Sequence, residues 1–243
     1  MFEEIDQLKQ QLDQARPLPP TIVKNLQEDL IVRWTYHSNA IEGNTLTLLE
    51  TKVVLEGITI GGKALREHFE AINHRSAILY VEEIIQNVES LSEWQIRNIH
   101  QLILRNIDDD NAGRYRNVNV LIAGTSHTPP DQTLIAEQMS EFINWYNREA
   151  AQLHPIERAA NVHADFVGIH PFIDGNGRTP RLLMNLELMK AGYPPCVITV
   201  ENRLAYYEAL DKWMAQGDTA PFIQLIHDAV LEGFVPYRHV LGF

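Results

Sequence analysis

A single cysteine, Cys196, in 243 residues excludes an intrachain disulfide and any cysteine-cluster zinc site, and it suits a reducing compartment. Basic residues are also scarce. With 20 Lys and Arg against 32 Asp and Glu the formal charge is −12, so no global positive field exists to hold nucleic acid or an anionic membrane. Any phosphate ligand must then be held by a local site. No apolar run reaches the roughly 18 residues of a membrane span, and the opening Met1-Phe2-Glu3-Glu4 has neither a basic nor an apolar leader segment. The expectation is a cytoplasmic protein. Internal repeats, low-complexity tracts and an alternating strand-helix rhythm are likewise missing, which excludes solenoids and doubly wound sheets. With 45% hydrophobic residues the chain can build a substantial core.

What is present is helical periodicity. Ile5, Leu8, Leu12 and Ala15 share one face of a helix over 2–15, which Pro17, Pro19 and Pro20 then stop. Ile22, Val23, Leu26, Leu30 and Trp34 make a second helix, capped by Gly43 and Asn44. Further helices are expected over about 46–56, 64–88, 93–106, 132–149, 156–169, 178–191, 201–216 and 219–232, with Ser92 and Gln95 at capping-box spacing. One stretch favours strands: Val118, Val120 and Leu121, followed by breakers from Gly124 to Pro130, predict a small hairpin. The expected fold class is all-α with one minor β-hairpin.

Residues 163–181 depart from ordinary helix composition. Pro171 disfavours helix at His170, which leaves that imidazole at a helix end, able to accept a hydroxyl proton at neutral pH. Gly175, Asn176 and Gly177 let backbone N–H groups approach an oxyanion, and a new helix with Pro180 in its first turn aims its unpaired N–H groups at the same spot. Arg178 and Arg181, three apart on one face, can grip phosphate oxygens with planar forks. Asp174 offers the hard oxygen that tethers Mg²⁺ beside phosphates. Base, metal carboxylate, anion cradle and two arginines make an inventory for transfer at phosphorus. His163 lies two helical turns before His170 and reads as a hydrogen-bonded helix residue rather than a zinc ligand.

The run His170-Pro171-Phe172-Ile173-Asp174-Gly175-Asn176-Gly177-Arg178-Thr179-Pro180-Arg181 resembles the signature of the Fic (filamentation induced by cAMP) domain family at every defined position. Similarity extends to Gly113-Arg114-Tyr115-Arg116, to His127-Thr128-Pro129-Pro130, and to Tyr206-Tyr207 and Gly217-Asp218. The resemblance implies an all-α domain that transfers AMP from ATP to a hydroxyl of a target protein. It implies His170 as base, Asp174 as ligand of Mg²⁺, Gly175, Asn176 and Gly177 as anion hole, and Arg178 and Arg181 as phosphate clamps. The segment about 117–130 is similar to the flap that docks the target by strand addition. Tyr206 and Tyr207 either flank the nucleotide or belong to the core, and Ala215 stands where relatives often carry Asn, so the nucleotide base is not fixed by this pattern.

Ser38-Asn39-Ala40-Ile41-Glu42-Gly43 is similar to the family's inhibitory motif. A glutamate paired with an arginine beside a phosphate site would repel the γ-phosphate, which makes Glu42 the expected brake and Arg181 its partner. The implied organisation is an N-terminal helix and linker over 1–20, a helical region over 21–90 that carries the motif at 38–44, and a catalytic domain over 91–243. Two alternatives stand beside AMP transfer: removal of AMP by the same site, and a non-catalytic interaction module. The expected partners are ATP, an unidentified target protein and a second copy in a homodimer, helix 2–15 either covering the catalytic core or contributing to that dimer, with no role for nucleic acid or membrane.

Overall fold

A computed structural model describes residues 1–242, and its regular structure is helical: α1 (Glu3–Gln14), α2 (Pro20–Ile41), α3 (Leu48–Leu55), α4 (Leu65–Gln86), α5 (Glu93–Leu104), α6 (Ile135–Arg148), α7 (Pro155–Ile169), α8 (Arg178–Lys190), α9 (Arg203–Gln216) and α10 (Ala220–Leu241). No helix among the described residues is long and apolar enough to cross a membrane. The architecture turns on α8, buried from Arg178 to Leu188. Its Leu182, Leu183, Met184, Leu186 and Leu188 point to all sides, the pattern of a helix enclosed by others. Here α7, α4, α5 and α2 enclose it. One core, with Trp34, Ile78, Ile99, Phe142, Phe166 and Phe172, lies between α8 and the helices α2, α4, α5, α6 and α7. A second, with Ile5, Leu12, Met184, Leu188, Phe222 and Phe234, joins α1, α7, α8, α9 and α10. Since α7 and α8 serve both cores, the loop between them, 170–177, is held from two sides.

The structure departs from the expectations at several points. The helix expected to end near 232 continues to Leu241 through Pro236, which lacks the N–H for its helical bond. Packing overrides that loss, because Phe234 is fully buried and Tyr237 and Leu241 rest on the same core. Gly233 is required there, since a Cβ would come within 2.9 Å of the Pro195 carbonyl oxygen. Of the two places open to helix α1 it takes the one on its own chain: Ile5 and Leu12 are fully buried, Phe2 stacks on His154 at 3.9 Å, and Asp6 bonds Tyr193 and His154.

The hairpin also differs, for residues 115–131 form turns and extended coil with no strand. Pro129 and Pro130 contribute no N–H donors to a ladder, and side chains close the loop instead. Asn119 donates to the Asp131 carboxylate at 2.7 Å and accepts from the Gln132 N–H at 2.7 Å, while Arg116 reaches both ends. Asp211 on α9 holds the tip, accepting from Thr125 and from the Ser126 N–H. At the start of α5, Ser92 caps through the Trp94 N–H rather than in a reciprocal box, while Gln95 donates its side-chain amide to Glu89.

Candidate functional site

Helix α7 ends where Pro171 demands it, and His170 takes the left-handed conformation, φ 51° and ψ 57°. A non-glycine residue pays about 1–2 kcal/mol for that backbone, a cost tolerated where a side chain must be aimed. Its Nδ1 faces the Val167 carbonyl at 3.4 Å, an acceptor only, which puts the proton on Nδ1 and leaves the Nε2 lone pair open. Burial, reinforced by the Arg116 charge, pushes the imidazole down to about 4, so it is neutral and proton-accepting at pH 7.

The loop that follows is built by its own side chains. Asn176, nearly fully buried, clamps the Phe172 peptide with both ends of its amide, accepting from Phe172 N at 3.0 Å and donating to Phe172 O at 2.8 Å. That leaves only its backbone N–H, not its side chain, for any anion bound here. Phe172 stacks on His100 of α5 with centroids 3.5 Å apart. His100 accepts from the Gly113 N–H at 2.9 Å and donates to the Asp174 carbonyl at 2.9 Å, which fixes its tautomer and ties α5 to the loop. Burial pushes its imidazole down to about 4. Gly175, at φ 77°, leaves room for that ring, which would lie 3.1 Å from a Cβ. No pattern in the sequence marks His100; only the fold brings it here.

Asp174 is engaged on both oxygens. Oδ1 accepts from the Gly175 N–H at 2.6 Å and from Arg178 at 3.0 Å, and Oδ2 accepts from Arg66 of α4 at 2.7 Å. Burial raises its pKa, but Arg178, the Gly175 N–H and Arg66 outweigh it and hold the carboxyl below its ordinary value. Arg178 itself is buried, and its Nε and Nη1 have no hydrogen-bond partner; the Glu70 carboxylate stands 3.6 Å from Nη1. Donors left in that state await an acceptor. Arg66 and Glu70 carry no sequence signal for this site, being about a hundred positions from the loop.

Arg181 is 2% exposed and donates through Nε to the Ser38 hydroxyl at 3.1 Å, through Nη2 to the Ser38 carbonyl at 2.8 Å and through Nη1 to Tyr206 at 3.3 Å. Nη2 also meets Glu42 at 2.7 Å. Burial disfavours the charge, yet Glu42 and Tyr206 outweigh it and hold the guanidinium ionised. Glu42 caps the C-terminus of α2 in a Schellman turn: Asn44 N–H bonds Asn39 O at 3.1 Å, Gly43 N–H bonds Ala40 O at 3.0 Å, and Gly43 sits at φ 98°. That turn swings the Glu42 carboxylate across Gly177, where a Cβ would overlap it. The chain thus lays its own anion at the mouth of α8, beside N–H groups that have no intrahelical acceptor.

Tyr206 is 1% exposed, bonded to Arg181 and to His163 Nε2 at 3.0 Å, so its ring is core and offers no face to a nucleotide. Tyr207 is 40% exposed, donates to the Ile41 carbonyl at 3.3 Å and lies under the Arg203 guanidinium. His163 is a hydrogen-bonded core residue, and no cluster of three metal-binding side chains occurs among the described residues. A lone carboxylate still fits Mg²⁺, which keeps most of its waters and completes its shell with phosphates. Asp174, 39% exposed beside the cradle, is such a group.

Residues 90–188 match the model of the Fic/DOC family. A Fic domain containing signaling protein from Bacteroides thetaiotaomicron is 30% identical, with a TM-score of 0.89 over 98% of this chain and 97% of its own. The chain belongs to the Fic family. Fic-1 (residues 134–508) from C. elegans is 33% identical, with a TM-score of 0.86 over 99% of this chain and 71% of its own. The Protein adenylyltransferase Fic of Nematostella vectensis is 39% identical over 229 residues, 93% of this chain and 53% of that protein. The chain spans about half the length of the curated Fic relatives it matches.

The buried imidazoles around this Fic site carry a pH signature. Burial, then Arg181 and for His74 also Arg178, holds His74 and His163 well below the ordinary value, and His100 and His170 lie at about 4. Between pH 6.5 and 4 the unfolded chain binds these protons and the folded chain does not, so stability is full above 6.5 and is lost as pH falls. Asp165, pushed up to about 6 by burial, and Glu82, also raised by burial, work the other way, two carboxyls against four imidazoles. Urea unfolding at pH 5 is expected to show a lower midpoint than at pH 7; an unchanged midpoint would contradict the burial of these neutral imidazoles.

Proposed function

We propose that this chain transfers AMP from ATP to a hydroxyl side chain of a target protein. The observation that carries the reading is the helix N-terminus flanked by two buried arginines: Arg178 keeps Nε and Nη1 free of hydrogen bonds, with Glu70 3.6 Å from Nη1, while Arg181 is neutralised by the chain's own Glu42. In this reading the target oxygen attacks the α-phosphorus, its proton passes to Nε2 of His170, and the bond to the bridging oxygen breaks so that pyrophosphate leaves. The N–H groups at Asn176 and Gly177 and the two arginines stabilise the oxyanion charge, joined by the Gly175 N–H once it leaves Asp174 Oδ1. Asp174 would hold Mg²⁺, which neutralises charge on the α and β phosphates. Arg66 then has to release Oδ2.

Glu42 is the brake in this proposal, because its carboxylate and a γ-phosphate would compete for Arg181 and repel each other. The 21–90 region is accordingly regulatory and 91–243 catalytic. The segment 117–130 would dock the target, with strand addition requiring it to leave its present coil conformation. AMP removal is a companion reading supported by the same carboxylate: Oε1 carries the ion pair, which leaves Oε2 to orient a water. The proposal includes a cytoplasmic location, in keeping with one buried cysteine. It also includes a homodimer, for which exposed Leu48, Leu49 and Leu65 on α3 and α4 are one apolar surface among several, α1 being packed on its own core. A light-scattering mass near 27.8 kDa at micromolar concentration would count against the dimer. The activity is tested by incubating the protein with Mg²⁺ and ATP and measuring protein-linked AMP against released pyrophosphate.

A further inference from the structure

Arg116 is 3% exposed and has no carboxylate at ion-pair distance among the described residues. Its three guanidinium nitrogens each meet a backbone carbonyl: Nε donates to His170 O at 2.9 Å, Nη1 to Val118 O at 2.8 Å and Nη2 to Pro130 O at 2.5 Å. Its own N–H bonds Pro171 O at 2.9 Å. A buried charge whose hydrogen bonds all go to carbonyl dipoles, with the Asp131 carboxylate acting on it only from beyond ion-pair distance, is a poor device for stability, since apolar residues of similar volume commonly do as well or better. The geometry gives it another use. Val118 and Pro130 are the two ends of the coil segment, and His170 is the residue held in the left-handed conformation.

We propose that Arg116 couples the 117–130 segment to His170, its planar fork fixing both ends of the segment and the backbone of the imidazole-bearing residue as one unit. The proposal deepens the AMP-transfer reading and rests on it for the roles of base and docking segment. Arg116 touches no reacting atom in it and is a positioning residue. Movement of the segment, as on engagement of an extended target, would pull on the Val118 and Pro130 carbonyls and so reach His170 through one rigid group. A lysine in its place keeps the charge but can serve only one or two of these carbonyls, with no planar geometry to relate them. The charged or titratable groups that act on the imidazole are Arg116, Glu42 and His127.

The test uses the full chain carrying Glu42→Gly, with Arg116→Lys and Arg116→Met added singly. Both variants are expected to remain folded by circular dichroism and to bind ATP as the parent does, because Arg116 makes no contact with 174–181. Amide exchange across 118–130 is expected to accelerate in both while α8 stays protected, and auto-labelling is expected to fall about 10–100-fold with KM for ATP unchanged. In Arg116→Met the His170 titration followed by NMR should shift upward, and in Arg116→Lys it should move less. Folded variants with parental exchange across 118–130 and parental labelling would overturn the proposal. So would losses of labelling and ATP affinity in equal proportion, which mark a general structural role. If the Glu42→Gly parent fails to label at all, the AMP-transfer reading has failed, and exchange together with the His170 titration still decides the coupling.

Discussion

In a Glu42→Gly background, His170→Ala is expected to lower AMP transfer by about 10²–10⁴-fold, the loss typical of a removed general base, with little change in ATP affinity. The separation follows from the geometry. His170 stands at the end of α7, whereas the groups that would hold phosphates, Gly175 to Arg178 and Arg181, belong to the loop and first turns of α8 and are fixed by Asn176, His100 and Ser38. Removing the imidazole leaves all of those contacts in place. The imidazole is suited to the role because burial keeps it neutral and Val167 holds the proton on Nδ1. Isothermal titration with ATP and the labelling rate check both halves. An unchanged rate would remove His170 as base, and a lost ATP affinity would make it a binding residue.

Glu42→Gly is expected to raise auto-labelling by about 10–1000-fold, because a like-charge clash between carboxylate and γ-phosphate is worth several kcal/mol and each 1.4 kcal/mol is tenfold. The same substitution takes a partner from a buried arginine. Arg181 keeps the Ser38 carbonyl, the Ser38 hydroxyl and Tyr206, and the Glu42 side chain is already 31% exposed, so the stability loss belongs in the range of about 1–3 kcal/mol. ATP then supplies the missing anion. Thermal unfolding should therefore show a larger upward shift on adding ATP in the variant than in wild type. Equal shifts would mean that Glu42 and the nucleotide do not compete for the cradle.

Much of the candidate site was legible because its chemistry is local in the chain. A helix stop, a glycine loop and a helix start within twelve residues announce themselves by composition, and the structure brings His170, Asp174, Gly175, Gly177, Arg178 and Arg181 together at one loop. Glu42 was readable for a different reason: Gly43 marks its turn, and the motif at 38–44 suggested the partner that stands 2.7 Å away. What the sequence could not supply is long-range. His100, Arg66 and Glu70 reach the loop from α5 and α4 and look like ordinary helix residues in the sequence. Tyr206 reads as amphipathic and is fully buried because α9 packs it against Phe222 and His163. The hairpin pattern over 117–130 was real as composition, but the two prolines and the Arg116 fork replace a ladder with side-chain ties. At Pro236 the local rule against helix lost to the burial of Phe234 two residues earlier.

The central claim is that the cradle at the start of α8 handles ATP for AMP transfer and that Glu42 restrains it. Its most direct test is to incubate purified wild type and Glu42→Gly with Mg²⁺ and α-labelled ATP, without added target, and to follow label on the protein itself. Strong labelling of the variant and weak labelling of wild type is the result expected. No label on either protein, although ATP binds to both, would contradict the claim and turn attention to AMP removal from a pre-modified protein.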